Sequence, residues 1–199
     1  MNGEMSLDGY TKEKVQFNML WVNIFSIIIF ILFALVFGIP FHFIWGDIYN
    51  FNLIPNQEMG LQTRIVNIVI LIIPLFIGTV LHELIHGIFY AIFAKNGFKS
   101  IKFGTKLKFG VAYCICKELM QIKKINIAVI MPAIILGFIP AILSLILGNQ
   151  FLLFYGVLFI MGGAGDFLLI YRLLKEDKED YFLDLFGPEK YSYIYRKIK

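Results

Sequence analysis

Apolar and polar residues form long blocks along this chain, and four of the apolar blocks exceed the length of an ordinary core helix. The four blocks cover about residues 19–39, 65–94, 127–147 and 151–171. Each meets the requirement of about 20 residues for a helix that crosses a hydrocarbon core. Helices are the expected form, because backbone polar groups in lipid must be satisfied within the segment. The pattern therefore predicts four transmembrane helices.

Composition supports the same class of protein. The chain of 199 residues is 59% hydrophobic and 16% charged, whereas a soluble domain of this length buries only about 70% of the surface that its chain exposes. The apolar content excludes a disordered chain and a collagen-like fibre, and the two cysteines exclude a disulfide scaffold. We therefore expect an integral protein of the cell membrane.

The positive charges predict how the chain is oriented. Of the 18 Lys and Arg residues, 17 lie in the arm 1–18, the connection 95–124 and the segment from residue 172 onward, and Arg64 lies between the first two spans. Cytoplasmic loops of membrane proteins carry such an excess, so both termini are predicted to be cytoplasmic. Anionic lipid accounts for the basic charge, which favours the bilayer as a partner and excludes nucleic acid.

These predictions divide the chain into three parts and add one β element. We expect a cytoplasmic arm 1–18, a single transmembrane domain 19–174 and a cytoplasmic tail 175–199. Residues 101–116 alternate between apolar and polar side chains and are punctuated by glycines, which predicts a short β-hairpin or edge strand. The predicted fold is an all-α membrane protein, a four-helix bundle with this cytoplasmic strand element between helices 2 and 3. Its edge could pair with a substrate, although a plain surface hairpin explains the pattern as well.

Ionisable side chains are rare inside the predicted spans. There are four, His82, Glu83, His86 and Asp166, and such groups at membrane depth face a bundle interior or a water-filled cavity. On a helix His82 and His86 share one face, so both imidazoles can bind one metal ion. This spacing is typical of zinc hydrolases, in which the intervening glutamate acts on water. A pair of packing histidines with a glutamate partner is the structural alternative.

A catalytic zinc ion usually has three protein ligands and one open position. Asp166 is predicted to lie at the depth of His82, because the two residues are about 22 Å and 26 Å along helices that run in the same direction. The remaining histidine, His42, lies near the opposite face and is disfavoured. We therefore predict Asp166 as the third ligand. A helix-packing carboxylate, or one paired with Arg172, is the alternative.

Small residues near these candidates have two interpretations each. The glycines of the fourth span would let it approach the second span closely or open locally so that Asp166 can reach the metal; they are Gly162, Gly163 and Gly165. Cys114 and Cys116 share one face of the predicted strand and are reduced in the cytoplasm. We expect buried or interfacial thiols, with a thiolate that caps a resting zinc site as the alternative.

Together these residues predict an enzyme. Zn²⁺ held by two histidines and Asp166 would activate water and polarise a peptide carbonyl, and Glu83 would transfer the water proton to the leaving amine. We predict a zinc-dependent intramembrane metallopeptidase that hydrolyses peptide bonds of membrane-associated proteins or hydrophobic peptides. The alternative is a non-catalytic multi-pass membrane protein, either a metal transporter or a degenerate protease that acts as a binding partner.

The motifs resemble a known family. His82-Glu83-Leu84-Ile85-His86-Gly87, an intervening span and Gly165-Asp166 resemble the three-helix core of site-2-type intramembrane metalloproteases. The whole arrangement is more similar to a bacterial family of unknown function known as "putative zincin peptidases". Further similar pieces are Tyr113-Cys114-Ile115-Cys116-Lys117-Glu118, Pro132, Asp184 and Gly187. The resemblance implies a zinc-dependent membrane peptidase with His82, His86 and Asp166 as ligands and Glu83 as the catalytic residue.

Overall fold

Helices make up most of the chain in a computed structural model, which describes residues 9–46, 61–106, 111–185 and 191–198. The helices are α1 (Met19–Trp45), α2 (Leu61–Phe93), α3 (Ile122–Pro132), α4 (Ile139–Leu147), α5 (Gln150–Gly162) and α6 (Ala164–Leu173). A wider helical turn, Ala133–Phe138, joins α3 to α4. The strands are β1 (Tyr10–Val15), β2 (Ile101–Lys106), β3 (Val111–Cys116), β4 (Met120–Gln121), β5 (Tyr181–Leu183) and β6 (Ser192–Lys197).

Among the described residues, three helical stretches are long and apolar enough to cross a membrane. They are Met19–Trp45, Ile68–Phe93 and Ile122–Leu147. The fourth predicted span is two helices, α5 and α6, which are bent by 46° and make a fourth stretch only if they are counted together. The break falls at Gly163 within the run Gly162-Gly163-Ala164-Gly165, because glycine is the poorest helix former after proline.

The described residues form two units, which we describe separately. The sheet unit comprises Met1–Asn23, Glu83–Met131 and Gly165–Lys199. It contains a four-stranded antiparallel sheet in the order β1-β6-β5-β4 and the hairpin β2-β3. The hairpin confirms the strand element predicted between helices 2 and 3. The four-stranded sheet was not predicted, so the described parts of the arm and the tail contain more β-structure than an all-α fold with one hairpin.

One face of this sheet covers an apolar core. From the strands, Val15, Met120, Phe182 and Ile194 are buried, and they join buried residues of α3 and α6, namely Ile122, Ile125, Val129 and Leu173. The register pairs Tyr10 with Lys197 and Val15 with Ser192. Side chains alternate across a strand, so Ile194, two residues after Ser192, lies on the same face of the sheet as Val15, and both are buried in the core.

Four charged side chains form a closed network beside the sheet. Glu13 of β1 accepts from Arg172 Nη2 at 2.8 Å and from Arg196 Nη1 at 2.5 Å. Glu176 accepts from Arg196 Nε at 2.5 Å and also pairs with Arg172. These hydrogen bonds from the two guanidinium groups lower the pKa of Glu176 to about 2. The network therefore fixes the end of α6 to the two strands that lie next to it.

The helical unit comprises Ile24–His82 and Pro132–Ala164. Its helices meet at glycines: a Cβ atom added at Gly156 of α5 would lie 2.7 Å from the backbone nitrogen of Ala141 in α4. A Cβ atom at Gly137 would lie 2.6 Å from Ile160 Cγ1. Small residues allow backbones to approach this closely in membrane helices, so van der Waals contact between main chains holds α4 and α5 together.

Candidate active site

His86 is the most buried residue of the predicted site. Its side chain lies on α2 and the residue is 5% exposed. The Nδ1 atom lies 3.1 Å from the carbonyl oxygen of Ala128 in α3. A carbonyl oxygen can only accept, so Nδ1 donates its proton to Ala128, and Nε2 is the ring nitrogen that remains for a metal ion. Metal-binding histidines usually donate their second ring N–H in this way.

The Nε2 atom of His86 faces a carboxylate. Nε2 lies 3.4 Å from Oδ2 of Asp166, which is close to the separation of roughly 3.4 Å between two ligand atoms at about 2.1 Å from a tetrahedral zinc ion. Asp166 lies in the first turn of α6, because the chain breaks at Gly163. The positive end of the helix dipole lies at this turn. Asp166 contacts His86, whereas Arg172 pairs with Glu13 and Glu176.

His82 completes the group. It precedes His86 by one helical turn on α2, and it is half-buried. One ligand atom from each of His82, His86 and Asp166 can be chosen so that all three lie within 4.8 Å of one another. Two imidazole nitrogens and one carboxylate oxygen are the donor set of a three-ligand catalytic zinc site. The residues present therefore fit a zinc ion.

Glu83 follows His82 on α2 and is half-buried.

Burial, with the negative charges of Glu83 and Asp184 nearby, raises the pKa of the Cys114 thiol. The thiol is therefore neutral in the metal-free protein, which is unfavourable for a thiolate ligand. Cys114 and Cys116 are both free and buried, as expected for plain buried cysteines.

The hairpin lies against α2 directly after His86. A Cβ atom at Gly87 would lie 2.3 Å from the Phe103 ring and 3.4 Å from Cys114 Sγ. Any larger residue at this position would displace Phe103, so Gly87 permits the close approach of β2 and β3 to the site helix. By contrast, a Cβ atom at Gly162 or Gly165 would meet nothing within 4 Å. Within the described part of the chain, close helix approach is thus not the role of those two glycines, and the helix instead breaks between α5 and α6 at Gly163.

Asp184 is a buried carboxylate near the site, and the sequence did not predict a role for it there. Tyr90, four residues after His86 on α2, donates a hydrogen bond to Asp184 Oδ2 at 3.1 Å. Asp184 also accepts from Ser192 Oγ at 3.3 Å. The spacing of four residues already placed Tyr90 on the face of His86, whereas nothing in the local sequence connects Asp184 with Tyr90. His42, the remaining histidine, is exposed on α1. Its Nδ1 atom lies 3.2 Å from the carbonyl oxygen of Gly46.

The chain is largely helical, and His82, His86 and Asp166 could hold a metal ion. The sequence model of the family described as "putative zincin peptidase" matches residues 75–181, which is more than half of the chain. The chain therefore belongs to this family, and the resemblance seen in its motifs is confirmed. The match includes His82, Glu83, His86 and Asp166 and ends before Asp184. No curated protein and no solved structure matches the chain.

Membership of this family supports the assignment of the protein as a metallopeptidase, and it implies that the metal is zinc. The three apolar helices suggest association with a membrane.

Proposed function

We propose that this protein is a zinc-dependent intramembrane metallopeptidase that hydrolyses peptide bonds of membrane-associated proteins or hydrophobic peptides. The observation that carries the proposal is the contact between His86 and Asp166. The imidazole donates from Nδ1 to the Ala128 carbonyl, and its Nε2 atom lies 3.4 Å from the carboxylate. His82 offers the third ligand atom within 4.8 Å of the other two.

The roles of the residues follow from their chemistry. His82, His86 and Asp166 would hold zinc, which supplies Lewis acidity when bound, polarising a peptide carbonyl and making water a nucleophile at neutral pH. Glu83 would accept the proton of the attacking water and deliver it to the nitrogen of the leaving amine. Ala128 would keep His86 in the tautomer that can bind metal.

The position of the site supports cleavage within the membrane. His82, Glu83 and His86 lie inside Ile68–Phe93, one of the stretches that could span a bilayer. We propose a multi-pass topology with both termini in the cytoplasm, on the distribution of Lys and Arg. A substrate must present an extended backbone to such a site, and the hairpin β2-β3 beside Gly87 offers a strand edge for it.

Metal content tests the ligand set. The purified protein in detergent should contain about one zinc ion per chain, and His82→Ala, His86→Ala and Asp166→Ala should each lose most of it. His42→Ala is the matched control, because it removes the remaining histidine, which is exposed on α1. Zinc retained by both single histidine variants would exclude this site, and unchanged affinity in Asp166→Ala would exclude the third ligand.

Substrate trapping tests the reaction. Glu83→Gln should keep its zinc and abolish cleavage, so membrane proteomics of cells with this variant should show accumulated precursors that the wild type processes. Glu179→Gln, at an exposed glutamate paired with Lys123, is the control. A wild-type protein that holds zinc but shows the same membrane proteome as Glu83→Gln would instead favour a non-catalytic protein.

A further inference from the structure

A buried hydrogen bond connects the end of the chain with the metal-site helix. Asp184, directly after β5, is 6% exposed, and Tyr90 on α2 is 2% exposed. The Tyr90 hydroxyl donates to Oδ2 of Asp184, and the Ser192 hydroxyl donates to Oδ1. A buried carboxylate is costly unless it is hydrogen-bonded, so the two hydroxyl groups hold Asp184 in one position.

The ring of Tyr90 also lies beside His86. The two ring centroids are 6.0 Å apart and the planes differ by 18°. Besides Asp166, two neighbours restrain the imidazole: the Ala128 carbonyl holds the edge that carries Nδ1, and the Tyr90 ring lies nearly parallel to it. The direction in which Nε2 points depends on both neighbours, because rotation of the imidazole about its side-chain bonds would move Nε2 away from Asp166.

We propose that Tyr90 and Asp184 are positioning residues of the metal site: Asp184 fixes the Tyr90 ring, and the Tyr90 ring fixes the plane of His86. The inference rests on the proposed zinc site and extends it to a residue of the C-terminal segment. Asp184 acts through Tyr90 and is not one of the group of ligand atoms found among the described residues. Groups that orient a metal ligand usually change metal affinity 10- to 100-fold when they are altered.

A matched pair of variants separates this role from simple stabilisation. Tyr90→Phe and Ser192→Ala each remove one hydroxyl donor from Asp184, but only Tyr90 contacts His86. Zinc affinity, measured by competition with a chelator in detergent, should fall about tenfold in Tyr90→Phe and stay within about twofold of wild type in Ser192→Ala. The absorption spectrum of the Co²⁺-substituted protein should change in the first variant and not in the second.

A double-mutant cycle tests whether Asp184 acts through Tyr90. Asp184→Asn should weaken zinc binding about as much as Tyr90→Phe, and the double variant should be no weaker than either single one, because interacting groups are not additive. If Asp184→Asn does not fold, the comparison of Tyr90→Phe with Ser192→Ala still decides.

Several results would overturn the proposal. Equal losses of zinc affinity in Tyr90→Phe and Ser192→Ala would indicate a purely structural role, and wild-type affinity in Tyr90→Phe would exclude any role toward the metal. A wild-type protein without zinc affinity would leave nothing to position. Failure of the peptidase proposal is distinguishable, because a protein that binds zinc but cleaves nothing would still give these affinities.

Discussion

The sheet unit and the helical unit are held together by different interactions. Six polar or charged residues are buried in the described part of the chain, and five of them lie in the sheet unit: His86, Ser100, Asp180, Asp184 and Ser192. The helical unit has Ser144, whose hydroxyl bonds to the Ala141 carbonyl of its own helix. The sheet unit thus depends on matched polar partners, and the helical unit depends on close contact of backbones.

This difference agrees with the position of Glu83, His86 and Asp166 in the sheet unit. A buried polar group is costly unless it has a partner, and the sheet unit supplies partners from several elements, such as Ala128 for His86 and Ser192 for Asp184. The close contact between α4 and α5 leaves room only for small residues. Variants that introduce bulk should therefore damage the helical unit most, and variants that remove polar partners should damage the sheet unit.

The largest effect is expected at the crossing of α4 and α5. Gly156→Leu should prevent stable folding, because even a Cβ atom there lies 2.7 Å from the Ala141 backbone and overpacking costs about 1–3 kcal/mol for much smaller additions. The measurement is the yield and thermal unfolding of the protein in detergent. Gly162→Leu is the control, since a Cβ atom there meets nothing within 4 Å. Equal stability of the two variants would contradict the backbone contact.

A smaller and pH-dependent effect is expected in the charged network of the sheet unit. Glu176→Gln should lower the free energy of unfolding at neutral pH by roughly 1.5–3 kcal/mol, the range for hydrogen bonds to charged groups. The pKa of Glu176 is about 2, against 4.5 for the free group, so its stabilisation is complete above about pH 4.5 and is lost as the pH falls toward 2. Unfolding curves of wild type and variant should therefore converge in acid. A constant difference from pH 7 to pH 2 would exclude this origin.

Substitution at the contact of the hairpin with α2 should cost less stability than substitution at the crossing of α4 and α5. Gly87→Ala should lower stability by about 1–2 kcal/mol, because the new methyl group collides with the end of the Phe103 side chain and not with backbone. Phe103→Ala in the same protein should relieve the collision. The thermal midpoints of the single and double variants measure this, and an equal loss in both would show that Phe103 is not the obstacle.

The smallest effect is expected on the outer face of the four-stranded sheet. The Lys12 ammonium lies 3.9 Å from the centre of the Tyr193 ring, and exposed contacts of this kind contribute about 0.5–1 kcal/mol. Lys12→Met should therefore lower stability by at most that amount, as measured by chemical unfolding. Lys102→Met, at an exposed lysine of β2, should have no measurable effect. A larger loss at Lys102 than at Lys12 would contradict the contribution of the ring.

The candidate site could be predicted from the sequence because its residues stand out locally. His82, Glu83 and His86 form one motif, and helix geometry alone brought Asp166 to a similar depth. The break at Gly163 was open to two interpretations, since glycines serve close packing and helix ends equally. Asp184 was beyond prediction as a neighbour of Tyr90, because the contact joins residues 94 positions apart.

The four-stranded sheet was missed for a related reason. The β1 sequence, Tyr-Thr-Lys-Glu-Lys-Val, is short and mostly polar, so its strand character depends on its partner. That partner is β6, where the Arg196 carbonyl accepts from the Thr11 hydroxyl across 185 residues of sequence. Long-range strand pairing of this kind has no local pattern, whereas the β2-β3 hairpin pairs strands that are adjacent in the sequence.

The pairing of β1 with β6 also has a consequence for biosynthesis. A ribosome makes β6 after β1 and after every helix between them, so β1 waits for its neighbour through the synthesis of all these helices. Until β6 emerges, both β1 and β5 have an unpaired edge, and unpaired edges are sites of aggregation. A nascent chain that stops before Ser192 lacks the strand that lies between β1 and β5. Completion of the sheet therefore follows the synthesis of the helices.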